Sequence, residues 1–159
     1  REAFERIVWT LAGTEPSGDW TARGEDVGHG FAPIHTRARR GSTIVLVSDL
    51  IDLPESTARE LGEIATRGRR AFALQVLSPD EIELPYEHHA RFEGMEGGVV
   101  VDADPVLARQ SYKARLADLR ERWSRDLIAR GGALITASTV DKPVAVVRSL
   151  LLAVRGAIA

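Results

Sequence analysis

The chain reads as an α/β fold built on a parallel sheet, and three observations carry that expectation. Short apolar, β-branched runs at residues 43–47, 70–77 and 133–137 each read as a strand. Residues at spacings of three and four elsewhere form apolar stripes, the mark of amphipathic helices. Strand and helix alternate through the last three-quarters of the chain, which calls for parallel pairing and right-handed crossovers.

Taken in order, residues 2–11 place Phe4, Ile7, Val8 and Leu11 on one helical face. Residues 13–24 are rich in Gly, Pro, Ser, Asp and Thr and read as a loop. A helix over 26–39 turns Val27, Phe31, Ile34 and Ala38 inward, with Asp26 as its cap, although Gly28, Gly30 and Pro33 weaken it. The run 43–47, between Gly41 and Pro54, has the continuous apolar character of a strand buried on both faces. Pro54 opens a helix over 54–66 that buries Leu61, Ile64 and Ala65. Residues 70–77 form the next strand. A polar excursion over 83–101 contains a hairpin, in which 91–93 pairs with 99–101 across Gly97-Gly98.

The clearest helix covers residues 104–130. Asp104 caps it, Pro105 takes its first position, and Ala108, Tyr112, Leu116, Leu119, Trp123 and Leu127 form its stripe. Gly131-Gly132 ends it, a strand follows over 133–137, and Pro143 precedes a last apolar helix over 144–158. The three Trp residues read as core. No repeat or low-complexity tract divides the chain, so residues 1–159 form one domain. The chain opens on Arg1, inside a helical pattern, and reads as the C-terminal part of a longer polypeptide.

Composition narrows the function classes. A formal charge of −2, from 21 basic and 23 acidic residues, gives no electrostatic basis for binding nucleic acid or an anionic membrane. No cysteine is present, which excludes disulfides, thiolate catalysis and cysteine-ligated zinc, and suits a cytoplasmic setting. No apolar stretch approaches the ~20 residues of a membrane span. Phosphate-loop, GxGxxG, GxSxG and HExxH patterns are all missing.

What remains is an acidic strand tip. Asp49 and Asp52 follow the 43–47 strand, where the carboxyl ends of parallel strands collect ligands. Solvated turn chemistry explains the same two acids. Thr14, Ser17, Asp19 and Thr21 could fold back beside Asp49 and offer oxygen to Mg²⁺, although polar loops carry such residues by default. His88 and His89 are neighbours on a strand and point to opposite sides, so they read as surface histidines. Arg37, Arg39 and Arg40, like Arg67, Arg69 and Arg70, stand just before strands and serve equally as solvated helix ends or phosphate contacts.

Several segments, in order, resemble one family. Arg40-Gly41-Ser42 and the run ending Ser48-Asp49-Leu50-Ile51-Asp52 resemble an "RRS…vliSDfld" element. Residues 78–85, Ser-Pro-Asp-Glu-Ile-Glu-Leu-Pro, resemble "DPxExELP", with Ser78 in place of the first Asp. Val101-Asp102 followed by Arg109 and Tyr112 resembles a "vD…R..Y" helix start, and the closing strand, Thr/Ser loop and leucine-rich helix also fit. Together these resemble the bacterial domain-of-unknown-function family fifty-eight, whose C-terminal half is similar to a von Willebrand factor A domain.

The resemblance covers about residues 26–155 and implies a Rossmann-like sheet. It also implies a metal-ion-dependent adhesion site, made from DxSxS, a middle Thr and a later Asp. Asp49 matches that Asp and Thr21 is the candidate Thr, whereas DxSxS has no counterpart in this chain. The strands seen here then correspond to the fourth, fifth and sixth of the order 3-2-1-4-5-6, which leaves residues 43–47 at an edge. Such an edge is a pairing liability. It is expected to be covered by residues upstream of Arg1 or by a second copy of the chain.

The resemblance implies a non-enzymatic protein-interaction domain that works with a MoxR-type AAA+ ATPase in complex assembly or maturation, with Mg²⁺ as the candidate cofactor. Its interaction surface would be the loops at residues 49–53, 79–81 and 138–142, and would include Ser48, Asp52 and Glu81. Two other classes compete: a metal-assisted phosphoesterase or nuclease using Asp49, Asp52 and Glu81, and a scaffold without a ligand site.

Overall fold

The computed structural model describes residues 2–15, 28–66, 68–93 and 100–156. In chain order these form α1 (Glu2–Ala12), α2 (Gly28–Arg37), β1 (Thr43–Ser48), α3 (Ser56–Ile64), β2 (Arg70–Leu77) and α4 (Pro79–Glu83). There follow β3 (Ala90–Glu93), β4 (Val100–Ala103), α5 (Pro105–Ile128), β5 (Ala133–Ser138) and α6 (Pro143–Gly156). The fold is mixed α/β: a parallel sheet in the order β1-β2-β5 carries flanking helices, and β3 and β4 form a separate antiparallel hairpin.

The register runs Thr43 beside Arg70 on one side of β2 and Phe72 beside Ala133 on the other. β2 is the central strand, and its run Ala71–Gln75 is buried throughout. Side chains alternate across the sheet. Ile44, Leu46, Ala71, Ala73 and Leu134 point to the layer made by α2, α3 and α5, where Phe31, Leu61, Ile64, Trp123 and Leu127 complete the core. Val45, Val47, Phe72 and Leu74 point the other way, towards the side on which α6 packs against β5.

Local chemistry sets the helix ends. The Asp104 side chain accepts from the Val106 and Leu107 amides ahead of Pro105, so α5 starts where its cap and first-turn proline place it. Gly132 follows α5 where the backbone approaches β2 closely; a Cβ there would lie 2.1 Å from the Ala71 carbonyl oxygen. α2 accommodates Pro33 because the burial of Phe31 and the packing of Ile34 hold it against α3.

Three expectations are corrected. β1 is an edge strand and is not buried on both faces: Val47 is 62% exposed, because no described strand pairs beyond it. Trp9 is 77% exposed on α1, whose Ile7, Val8 and Leu11 are exposed with it, whereas Trp123 is core. Residues 79–81, read as loop, begin the short helix α4 through a capping box: Ser78 Oγ accepts from the Glu81 amide while the Glu81 carboxylate accepts from the Ser78 amide. Trp20, Thr21, the Asp26 cap and Val27 lie outside the described residues.

Candidate functional site at the strand tips

The three parallel strands end together, and the segments after them form one edge: residues 49–53 after β1, 78–81 after β2 and 139–142 after β5. The first is the most tightly specified. Ser48 Oγ accepts from the Leu50 amide at 3.0 Å, and Asp49 Oδ1 accepts from the Ile51 amide at 3.0 Å, two side-chain turns in succession. Leu50 consequently adopts the left-handed conformation at φ 67°. Its side chain is fully buried in the core, which holds an otherwise disfavoured backbone in place.

Below the tip lies a contact that the sequence reading overlooked. Gln75, wholly buried in the central strand, donates from Nε2 to the Asp49 carbonyl oxygen at 2.7 Å. Its Oε1 accepts from Arg120 Nε on α5, also at 2.7 Å. A lone polar residue inside the apolar run 71–77 was the available signal, because a buried amide must find partners. The chain Arg120–Gln75–Asp49 thus ties α5 to the tip of β1 through the middle strand.

Asp49 and Asp52 are exposed, with Ser48 half-buried beside them. Glu81 is also exposed, but one of its carboxylate oxygens is already engaged by the Ser78 amide. The Tyr112 hydroxyl donates to the Glu81 carbonyl oxygen and fastens α4 to α5. Burial pushes that hydroxyl above its ordinary pKa; the Glu81 and Asp49 carboxylates add to the rise and Arg120 opposes it. Nearby, Lys113 donates to Glu83 and, chiefly through that hydrogen bond, holds the Glu83 carboxyl below its usual range. After β5, the Ser138 amide donates to Asp141 at 2.7 Å, and the Thr139 amide donates to the Leu77 carbonyl.

Beside the Asp49 segment is a groove of about 330 Å³, lined by Ile51, Leu53, Leu119 and Trp123 with Arg122 and Asp126 at its rim. An ion pair between Arg122 and Glu55 crosses its end. Among the described residues no three His, Cys, Asp or Glu side chains gather as a metal ion requires, so Asp49, Asp52 and Glu81 do not converge on one point. His88 and His89 are exposed. No described helix is long and apolar enough to cross a membrane.

Fold and edge together define an α/β protein with a parallel three-stranded sheet whose strand tips present structured acidic loops. The chain belongs to the family described as protein of unknown function DUF58, whose model matches residues 1–122. Among solved structures, it is similar to the conserved hypothetical protein BatB from Bacteroides thetaiotaomicron, at 14% identity and a TM-score of 0.42 over 91% of this chain and 62% of that one. It is also similar to an uncharacterized membrane spanning protein from Vibrio fischeri, at 15% identity and a TM-score of 0.34 over 93% of this chain and 65% of that one. The chain therefore spans less than two thirds of the length of either. No curated protein matches it.

Proposed function

We propose that the strand-tip edge is a protein-binding surface, and that residues 1–159 are the C-terminal portion of a von Willebrand factor A-like domain. In this reading the domain carries out no chemistry of its own and works in the cytoplasm with a MoxR-type AAA+ ATPase during complex assembly or maturation. The supporting observation is the built form of the Asp49 segment. An exposed carboxylate sits on a loop whose backbone is fixed by its own side chains, by the buried Leu50 and by Gln75. Fixed loops carrying exposed charge suit recognition, because little ordering is left to do on binding. The adjoining groove, part apolar and part charged, offers room for a partner's side chain.

Mg²⁺ enters this proposal only as a shared ion. Among the described residues no three acids gather around Asp49, so they do not complete a cation shell by themselves. A partner's acid would have to supply the rest, with Asp49 as the ligand from this chain and Thr21 as the second candidate from the family pattern.

Binding of a purified MoxR-type ATPase to immobilised chain, with and without Mg²⁺, tests the reading. Asp49→Ala and Asp52→Ala together are expected to weaken binding about tenfold or more. Unchanged affinity in the double variant would remove the strand tips from the interface. Equal affinity with Mg²⁺ and with chelator would remove the ion.

A further inference from the structure

A second surface lies at the opposite end of the sheet from the strand tips, where β1, β2 and β5 begin. Arg39 and Arg40 precede β1, Arg69 and Arg70 stand at the start of β2, Arg130 precedes β5, and Arg155 sits in the last turn of α6. The fold joins these segments. The Gly41 amide donates to the Gly68 carbonyl, the Arg70 amide donates to the Ser42 carbonyl, and Arg40 reaches across to Gly68. Arg70 also donates from its guanidinium to the Val154 carbonyl at 3.0 Å, which seats the end of α6 on the same edge. No Asp or Glu occurs in residues 36–43, 65–71, 128–133 or 153–156. The overall charge of −2 therefore conceals segments that carry only positive charge. A strand added beside β1 would lie in the plane of the sheet and leave this end open.

Helix ends account for part of the charge. α2, α3, α5 and α6 all finish here, and Arg70 and Arg130 donate to carbonyls of α6 and α5. The rest is surplus. Arg37, Arg39, Arg40 and Arg155 are exposed, and their side chains meet no described acceptor. Arg69 Nε is shielded from water and finds no acceptor among the described residues. A shielded guanidinium donor left unbonded is costly, and an anion seated at this edge would relieve it.

We propose that this end of the molecule rests on a membrane surface rich in anionic phospholipid. The layout of the charge selects that partner. Arg39, Arg69 and Arg130 follow the strand order across about 10 Å of sheet. Arg37, at the end of α2, lies on the side of the closed helix layer, and Arg155 lies across the sheet from it on α6. The cations therefore cover a plane rather than a line. A lipid surface engages all of them at once, whereas a polynucleotide or an acidic peptide tracks a single row. No aromatic residue occurs in these segments to stack on bases. Ile128, 66% exposed at the end of α5 and two residues before Arg130, adds an aliphatic side chain that can enter the headgroup layer. Bound this way, the strand tips face away from the bilayer, so the inference is independent of what they bind.

Flotation of the 159-residue chain with phosphatidylcholine vesicles, with and without about one third phosphatidylglycerol, decides it. Binding is expected to the anionic vesicles at about 0.1 M salt, and is expected to be lost at about 1 M salt or on neutral vesicles. Each arginine removed should lower partitioning about fivefold, so Arg39→Gln with Arg40→Gln should lower it about 25-fold. Arg39→Lys with Arg40→Lys should keep most of the binding, and both pairs should keep the wild-type circular dichroism spectrum. Arg115→Gln with Arg125→Gln, at exposed positions of α5, should leave binding unchanged. A chain that ignores the anionic vesicles overturns the proposal. So does an equal loss in the α5 pair. Stronger binding to single-stranded DNA or polyglutamate than to vesicles of the same anionic charge overturns it too, and would give the edge a linear partner.

Discussion

The two faces of the parallel sheet are finished to different degrees. On one, α2, α3 and α5 enclose Phe31, Leu61, Ile64, Trp123 and Leu127 almost completely. On the other, α6 packs against β5 yet none of its own residues is buried, and Val144, Val147, Leu151 and Leu152 remain more than half exposed. Stability is therefore concentrated in one layer, and surface available for association in the other. Composition alone would not separate them, because both α5 and α6 place apolar residues at helical spacing.

The contrast can be broken most forcefully at Trp123. Replacing it with Ala is expected to cost about 3–5 kcal/mol in urea unfolding. Leu151→Ala on the open face should change stability by no more than about 0.5 kcal/mol. Similar losses at the two positions would mean that the open face is covered in solution. A smaller effect is expected at Gln75, which links the closed layer to the strand tip. Gln75→Leu removes two buried hydrogen bonds and leaves Arg120 unpaired, at about 2–3 kcal/mol. Hydrogen exchange should quicken at the Leu50 and Ile51 amides more than in α3, and uniform quickening would show that Gln75 serves only the core.

The smallest effect concerns Tyr112, which fastens α4. Tyr112→Phe is expected to lose about 1 kcal/mol. Its hydroxyl is raised in the folded chain, so that contribution is complete below the unfolded value of 10.0 and declines as pH rises through the higher folded value. Thermal unfolding of the wild type should therefore become more pH-dependent above that point than that of Tyr112→Phe. Parallel curves would assign the alkaline loss to other groups.

Much of this arrangement was legible in the residues. The strand at 70–77 and the α5 helix matched because unbroken apolar character and an Asp-Pro start each depend on nearest neighbours. β1 was read as buried on both faces because its composition resembles that of a central strand, while its real position depends on which strands lie beside it. α4 was missed although Ser78 and Glu81 spell its capping box, since residues 79–81 were assigned to a strand-tip loop. At the strand tips, Asp49 was identifiable from its place after an apolar run. Its support was not: Gln75 and Arg120 are 26 and 71 residues away in sequence and meet Asp49 only through the fold.

That support has a mechanical meaning. A force applied at Asp49 passes through the Gln75 amide to Arg120, and so into the helix whose next turn buries Trp123. The tip cannot swing without disturbing the layer that buries Trp123 and Leu127. Whatever grips it holds a rigid handle attached to the core, and any pull on that handle loads the whole closed layer.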